Sequence, residues 1–193
     1  MALDYYVFSQ CHASNKGVRK LDIYRFKNDF KDIYLVEVFY YEHNVYAIKF
    51  FMKKHRLSNN RYSLIYPQRF KEKRGCATGN HNFLKVMNTV LMISLEIKRK
   101  DNLASFGFMG APKPTESNPK TNPENVNLDN TVANTKRYKV YQLYAKRYFN
   151  PEKFEYIYSK SSSILLLRNN DNKGQLTKEI AEDYINNIII PNL

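Results

Sequence analysis

The run from Asn80 to Arg99 contains neither Gly nor Pro, and its apolar side chains are spread around most of a helical girth. Phe83, Met87, Val90, Leu91 and Leu95 recur at helical spacing, while Val86, Ile93 and Ile97 fall on other sides. A helix of this kind cannot leave half its surface in water. It must be packed centrally, so the rest of the chain has to supply the elements that cover it. Asn80 or Asn82 is placed to cap its start, and Lys98-Arg99-Lys100 suits the negative end of its dipole.

The segments before this helix read as strands. Tyr5 to Phe8 is short and aromatic, and Leu21, Ile23, Tyr24 and Phe26 mix with charged residues in a segment of ambiguous period. Asp32 to Tyr41 is rich in β-branched and aromatic residues. The turn Glu42-His43-Asn44 then leads into Val45 to Met52, a hairpin pattern. Tyr62 to Tyr66 is expected as a further strand, ended by Pro67. After the helix, Leu103 to Met109 reads as a short buried strand and Asn134 to Phe149 as a second helix. Phe154 to Tyr158 and Ile164 to Leu167 read as two strands, the second so continuously apolar that both its faces must be covered. Thr177 is placed to cap a final helix in which Ile180, Tyr184 and Ile188 recur every fourth residue.

This order predicts an α+β fold: one mixed, mostly antiparallel sheet flanked by helices, with a C-terminal helix. The length of 193 residues and 43% hydrophobic content suit a single domain spanning residues 1–193. Residues 112–133, rich in Pro and Asn, read as a flexible loop within it.

Lys plus Arg number 31 against 18 Asp plus Glu, a net charge of +13 that would attract phosphates. The first residues lack the basic start and apolar run of a secretory leader, and no stretch approaches the ~20 apolar residues of a membrane span. Cys11 and Cys76 lie far apart and are expected as free thiols in a reducing, cytoplasmic compartment, with no membrane partner. The four histidines and two cysteines show no zinc-site spacing, so no metal is expected.

Two short motifs carry the chemistry. Ile65-Tyr66-Pro67 is followed by Arg74-Gly75-Cys76-Ala77-Thr78-Gly79 and then by the central helix. Small residues at such a point let backbone N–H groups approach a pyrophosphate at a positive helix N-terminus. The second motif is Leu143-Tyr144-Ala145-Lys146-Arg147-Tyr148-Phe149, at the end of the second helix.

Together with the element order, these motifs resemble the GNAT superfamily of acyl-CoA-dependent N-acyltransferases. In that family a strand ending in apolar-x-Pro is followed by an Arg/Gln-x-x-Gly-x-Gly/Ala loop that opens the central helix. A late helix, after a strand that splays from its neighbour, ends in Leu-Tyr-x-x-x-Gly-Phe. Arg74 takes the Arg/Gln place and Gly79 the last small place. Ala77 replaces the usual Gly, Tyr148 replaces the Gly before Phe149, Arg137 stands where the helix often begins with Asn, and Gln68 to Lys73 lengthen the first connection.

The resemblance covers about residues 32 to 168. It implies a GNAT-like N-acetyltransferase or related acyltransferase, with acetyl-CoA or another acyl-CoA bound by Arg74, Gly75, Cys76, Ala77, Thr78 and Gly79. It also implies that Tyr144 is the general acid for the departing CoA thiolate. The other reading of Tyr144 is an aromatic ring packed between helix and sheet. No motif identifies the acyl acceptor. Of the carboxylates that might take the amine proton, Glu37 alternates with Val36 and Val38 and reads as half of an outward-facing salt bridge. Glu42 lies beside it at the turn, and Glu72 lies in the lengthened connection.

A second function class uses the basic surplus. Lys136, Arg137, Lys139, Lys146 and Arg147 stud the second helix, and 16 tyrosines supply stacking surfaces. Such a pattern fits a non-catalytic basic module that holds nucleic acid or an acidic protein on the same fold. No helix-turn-helix, RNP-like or zinc motif accompanies it.

Overall fold

In the computed structural model, residues 3–16, 19–64, 75–113, 115–120, 122–128 and 131–189 are described. For 12–16, 19–20, 75–80 and 188–189 the description is of the backbone alone. Seven strands, β1 (Phe8–Lys16), β2 (Arg19–Lys27), β3 (Ile33–Tyr41), β4 (Val45–Met52), β5 (Ser105–Met109), β6 (Phe154–Ser159) and β7 (Ile164–Asn169), alternate with three helices. The helices are α1 (Gly75–Lys100), α2 (Lys136–Tyr148) and α3 (Lys178–Asp183), the last running into a π-turn at Tyr184–Ile189. The strands lie in the order β1-β2-β3-β4-β5-β7-β6 in one mixed sheet. The expected α+β class is therefore what the chain adopts. The pairs β1–β2, β5–β7 and β6–β7 are antiparallel, and β4–β5 is parallel. The parallel ladder has four residue pairs, from Val45↔Ser105 to Ile48↔Phe108.

By contact density the chain forms two compact units, Met1–Phe39 with Lys49–Asn102, and Tyr40–Ile48 with Leu103–Leu193. In the first, Tyr34, Val36 and Val38 of β3 are buried at every second position, as a sheet with one covered face requires. Phe26 stacks between Tyr6 (5.8 Å) and Tyr34 (5.1 Å) on that face. α1 buries Val86, Met87, Val90, Leu91, Ile93 and Ile97, more than half its girth, as its sequence demands. Thr89 and Ser94 share the buried arc because their hydroxyls return hydrogen bonds to the carbonyls of Lys85 (2.8 Å) and Val90 (3.0 Å).

Three local expectations differ from the structure. Residues 5–7 are irregular and precede the first strand, which runs Phe8–Lys16 and not Tyr5 to Phe8. Residues 61–63 are turns, not a strand. Hydrogen bonds Ser58 N to His55 O, Arg61 N to Ser58 O and Ser63 N to Asn60 O coil this stretch, so the aromatic content there serves packing. Ile65 to Pro67 lie outside the described residues. α1 begins at Gly75, so Asn80 and Asn82 sit inside the helix and do not cap it.

The second unit has helices on both faces of its strands. Directly paired residues share a face. Phe106 contacts Phe149 and Phe154 (5.9 and 6.4 Å), and Phe108 contacts Tyr141 of α2 (5.8 Å). On the opposite face, Ile164 and Leu166 form one cluster with Leu176, Ala181, Tyr184 and Ile185 around α3. This double covering is why Ile164 to Leu167 are all at 0% exposure. Thr177 caps α3 as its position predicts, its hydroxyl accepting from Ile180 N at 3.3 Å. Among the described residues, no helix is long and apolar enough to cross a membrane.

Candidate functional site

The glycine motif falls on the start of α1. Arg74 lies outside the described residues, and Gly75, Cys76, Ala77, Thr78 and Gly79 form the first helical residues and not a loop before the helix. The first four N–H groups of a helix have no intrahelical acceptor, so the donors here are those at the start, and Gly79 falls just past them. Its part in an anion site would be to keep a side chain out of the way. Among the described residues, no acidic residue occupies the first turn of α1.

The second motif lies on α2. Thr135 caps this helix, accepting from Tyr138 N at 3.2 Å and donating to Gly110 O at 2.6 Å. Ser163, held at φ 54°, donates to Val132 O (2.7 Å) and accepts from Thr135 N (2.9 Å). Strand end, cap and turn are thereby knotted together, and the direction of α2 is set by buried hydrogen bonds. Residues 112–133 join the same knot. The Glu116 carboxylate accepts from Lys113 N (2.8 Å) and from Lys136 N (2.9 Å) at the start of α2. Asn127 reaches Ser161 O at 2.8 Å, and Val126 pairs with Val132.

On α2 the Tyr144 ring is half-buried, 5.5 Å from Tyr148. Burial, reinforced by the Tyr148 phenol and partly offset by the Arg147 guanidinium, pushes the Tyr144 hydroxyl up to about 12. Tyr141, one turn earlier, is buried against Phe108; burial pushes it up to about 12, with the nearby Arg137 charge pulling the other way. Leu143 is 68% exposed, so the Leu-Tyr pair points its leucine at solvent.

No family model, curated protein or solved structure matches the chain.

Of the five cations read as one basic patch, Arg137 does not belong to it. It is 2% exposed, turned into the protein beside Tyr141, where no phosphate backbone reaches. Lys136, Lys139, Lys146 and Arg147 are exposed. A helical period of 100° per residue accounts for the split, because Arg137 falls on the same side as Tyr141 and Ala145.

Glu37 is committed elsewhere. It accepts from the Tyr62 hydroxyl at 2.7 Å and lies 3.8 Å from Arg61, which itself donates to Tyr62 at 2.8 Å. Arg61 and Lys49 flank the Tyr62 ring, 4.6 and 5.4 Å from its centroid. Burial, then the hydrogen bond to Glu37, raises the Tyr62 hydroxyl far above its ordinary value. The salt-bridge reading of Glu37 holds, although the pair is half-covered where the sequence suggested an open surface. Sequence reasoning missed Tyr62 as its partner, since a contact 25 positions away leaves no periodic signal. Glu42 is exposed, and Glu72 lies outside the described residues. Among the described residues, no group of three or more His, Cys, Asp or Glu could hold a metal ion.

Proposed function

We propose that this chain is an acyl-CoA-dependent N-acyltransferase-like protein of the GNAT type. The observation that carries the reading is the sheet. Its central parallel pair, β4–β5, is joined through the long helix α1, and four of the five residues of β5 pair with the first half of β4. A short parallel ladder beside antiparallel strands is the arrangement in which the resemblance implies a splayed strand. The order of helix, strand, helix and two strands after it also agrees.

In such a reaction the amine nitrogen attacks the thioester carbonyl carbon, the C–N bond forms, and the C–S bond breaks to release a thiolate. Gly75 to Thr78 would hold the pyrophosphate through backbone N–H groups. The resemblance implies that Tyr144 acts at the sulfur. With its hydroxyl at about 12 it stays protonated at neutral pH, and it is a weaker acid than a thiol of about 8.5. Its contribution is therefore a hydrogen bond that stabilises the developing thiolate, whose proton finally comes from solvent. Because Glu37 is engaged by Tyr62 and Arg61, the amine gives up its proton to water.

Thermal shift with CoA and acetyl-CoA tests the reading. A ligand at about 100 times its Kd stabilises the fold by about 2.7 kcal/mol. Gly79→Asp should abolish the shift without unfolding the chain, since a carboxylate early in a helix favours the helix while repelling a pyrophosphate. Absence of a shift with either compound would sink the proposal. A second reading, the non-catalytic basic module for nucleic acid or a protein partner, is favoured by the four exposed cations of α2.

A further inference from the structure

Every charged side chain of α2 is a cation: its sequence, KRYKVYQLYAKRY, contains no Asp or Glu. With Arg137 turned inward, the exposed face consists of Lys136, Lys139, Lys146 and Arg147 around Leu143. At 1.5 Å rise per residue the stripe is about 16 Å long. None of these four cations is in an ion pair among the described residues. Elsewhere the lysines do find carboxylates, as Lys54 does with Asp32 and Lys100 with Glu96. Like charges on neighbouring turns repel, and a polyanion laid along the face would relieve that repulsion.

The flank of the stripe is aromatic. Tyr144 and Tyr148 are half-buried side by side, and the Arg147 guanidinium rests 5.4 Å over the Tyr148 ring. An arginine restrained in this way loses less side-chain freedom when it grips a phosphate. Leu143, in the middle of the cations, offers apolar contact that hydrated phosphates cannot use but an unpaired base can.

We propose that this face of α2 binds single-stranded nucleic acid, with phosphates on Lys136, Lys139, Lys146 and Arg147 and an exposed base against Leu143. A duplex hides its bases and would leave the apolar centre unmatched. Poly-glutamate has charge but no flat ring to lay there. The surface lies wholly within the second unit and does not depend on acyl-CoA binding.

The test is fluorescence anisotropy of the full chain with labelled oligothymidylate and oligouridylate of about 20 nucleotides, against a duplex of equal length and poly-glutamate. Four phosphate contacts give a slope of log K against log salt of about −3 for a single strand, hence roughly fifty-fold weaker binding from about 50 to about 200 mM salt. The variant Lys136→Gln/Lys139→Gln/Lys146→Gln/Arg147→Gln should flatten that slope by about 3. A charge-matched control, Lys53→Gln/Arg56→Gln/Lys120→Gln/Lys153→Gln, removes four exposed cations elsewhere and should leave the slope nearly unchanged. If the fourfold α2 variant melts early, Lys139→Gln/Lys146→Gln should still remove about half of the change. Binding of either single strand with these variant effects upholds the proposal. It is overturned by no binding at low salt, by equal loss in the control, or by tighter binding of the duplex or of poly-glutamate.

Discussion

At the scale of single residues, Gly110 is the position with least freedom. A Cβ built there would lie 2.5 Å from both Thr135 Oγ1 and Tyr138 N, and 2.7 Å from Tyr138 Cβ. Two of those atoms belong to the first turn of α2, which cannot retreat without breaking its cap. Gly110→Ala should therefore destabilise the protein by about 1–3 kcal/mol, read as a lowered urea midpoint with an unchanged m-value. In the sequence Gly110 marks only the end of a strand. The reason no side chain fits comes from a helix 25 residues later. Arg137 makes the same point about charge: composition counts it as surface, and one step of 100° around the helix buries it.

At the scale of elements, α2 is held by its start. Thr135 supplies the cap, and Glu116 brings a carboxylate to Lys136 N at the positive end of the helix dipole. Thr135→Ala should cost about 1–2 kcal/mol, since it also removes the donor to Gly110 O, and Glu116→Gln about 0.5–1 kcal/mol. Denaturant titration of both single variants and the double would show whether cap and carboxylate act on one helix end. A strictly additive pair would mean that they do not couple. Asn134 to Phe149 is legible as a helix from its stop at Asn150-Pro151 and its tyrosine stripe. The role of Glu116 is not, because the composition of residues 112–133 carries no periodicity from which its partner could be read. α1 illustrates the reverse error. Glycines normally punctuate loops, so Gly75 and Gly79 suggest a start at Asn80, yet the helix begins at Gly75.

At the scale of the whole molecule, the 16 tyrosines give the chain a distinctive response to alkali. Tyr24, Tyr141 and Tyr144 are pushed up to about 12, in each case chiefly by burial. A phenol raised in the folded state favours the neutral form, so the stability it contributes is fully present below the unfolded value of about 10 and is lost as pH rises toward 12. The expected outcome is phenolate absorbance that develops later in the folded than in the urea-unfolded chain, with loss of stability across that window. Tyr141→Phe should reduce it. On the acid side, the hydrogen bond from buried Arg168 holds the Glu155 carboxyl below its ordinary value. Its contribution is present above about 4.5 and disappears as pH falls through the depressed value.

The sequence by itself determined the elements whose periodicity is strong: the central helix, the β3–β4 hairpin, the doubly covered strand Ile164 to Leu167, and the capped C-terminal helix. It thereby determined the α+β class, because apolar spacing along the chain is a local property of each segment. The tertiary structure alone decided the strand order, the short parallel ladder between β4 and β5 and the engagement of Glu37 by Tyr62. Each of these depends on groups distant along the chain that meet only when the sheet closes, and local propensity has no means of encoding such a meeting.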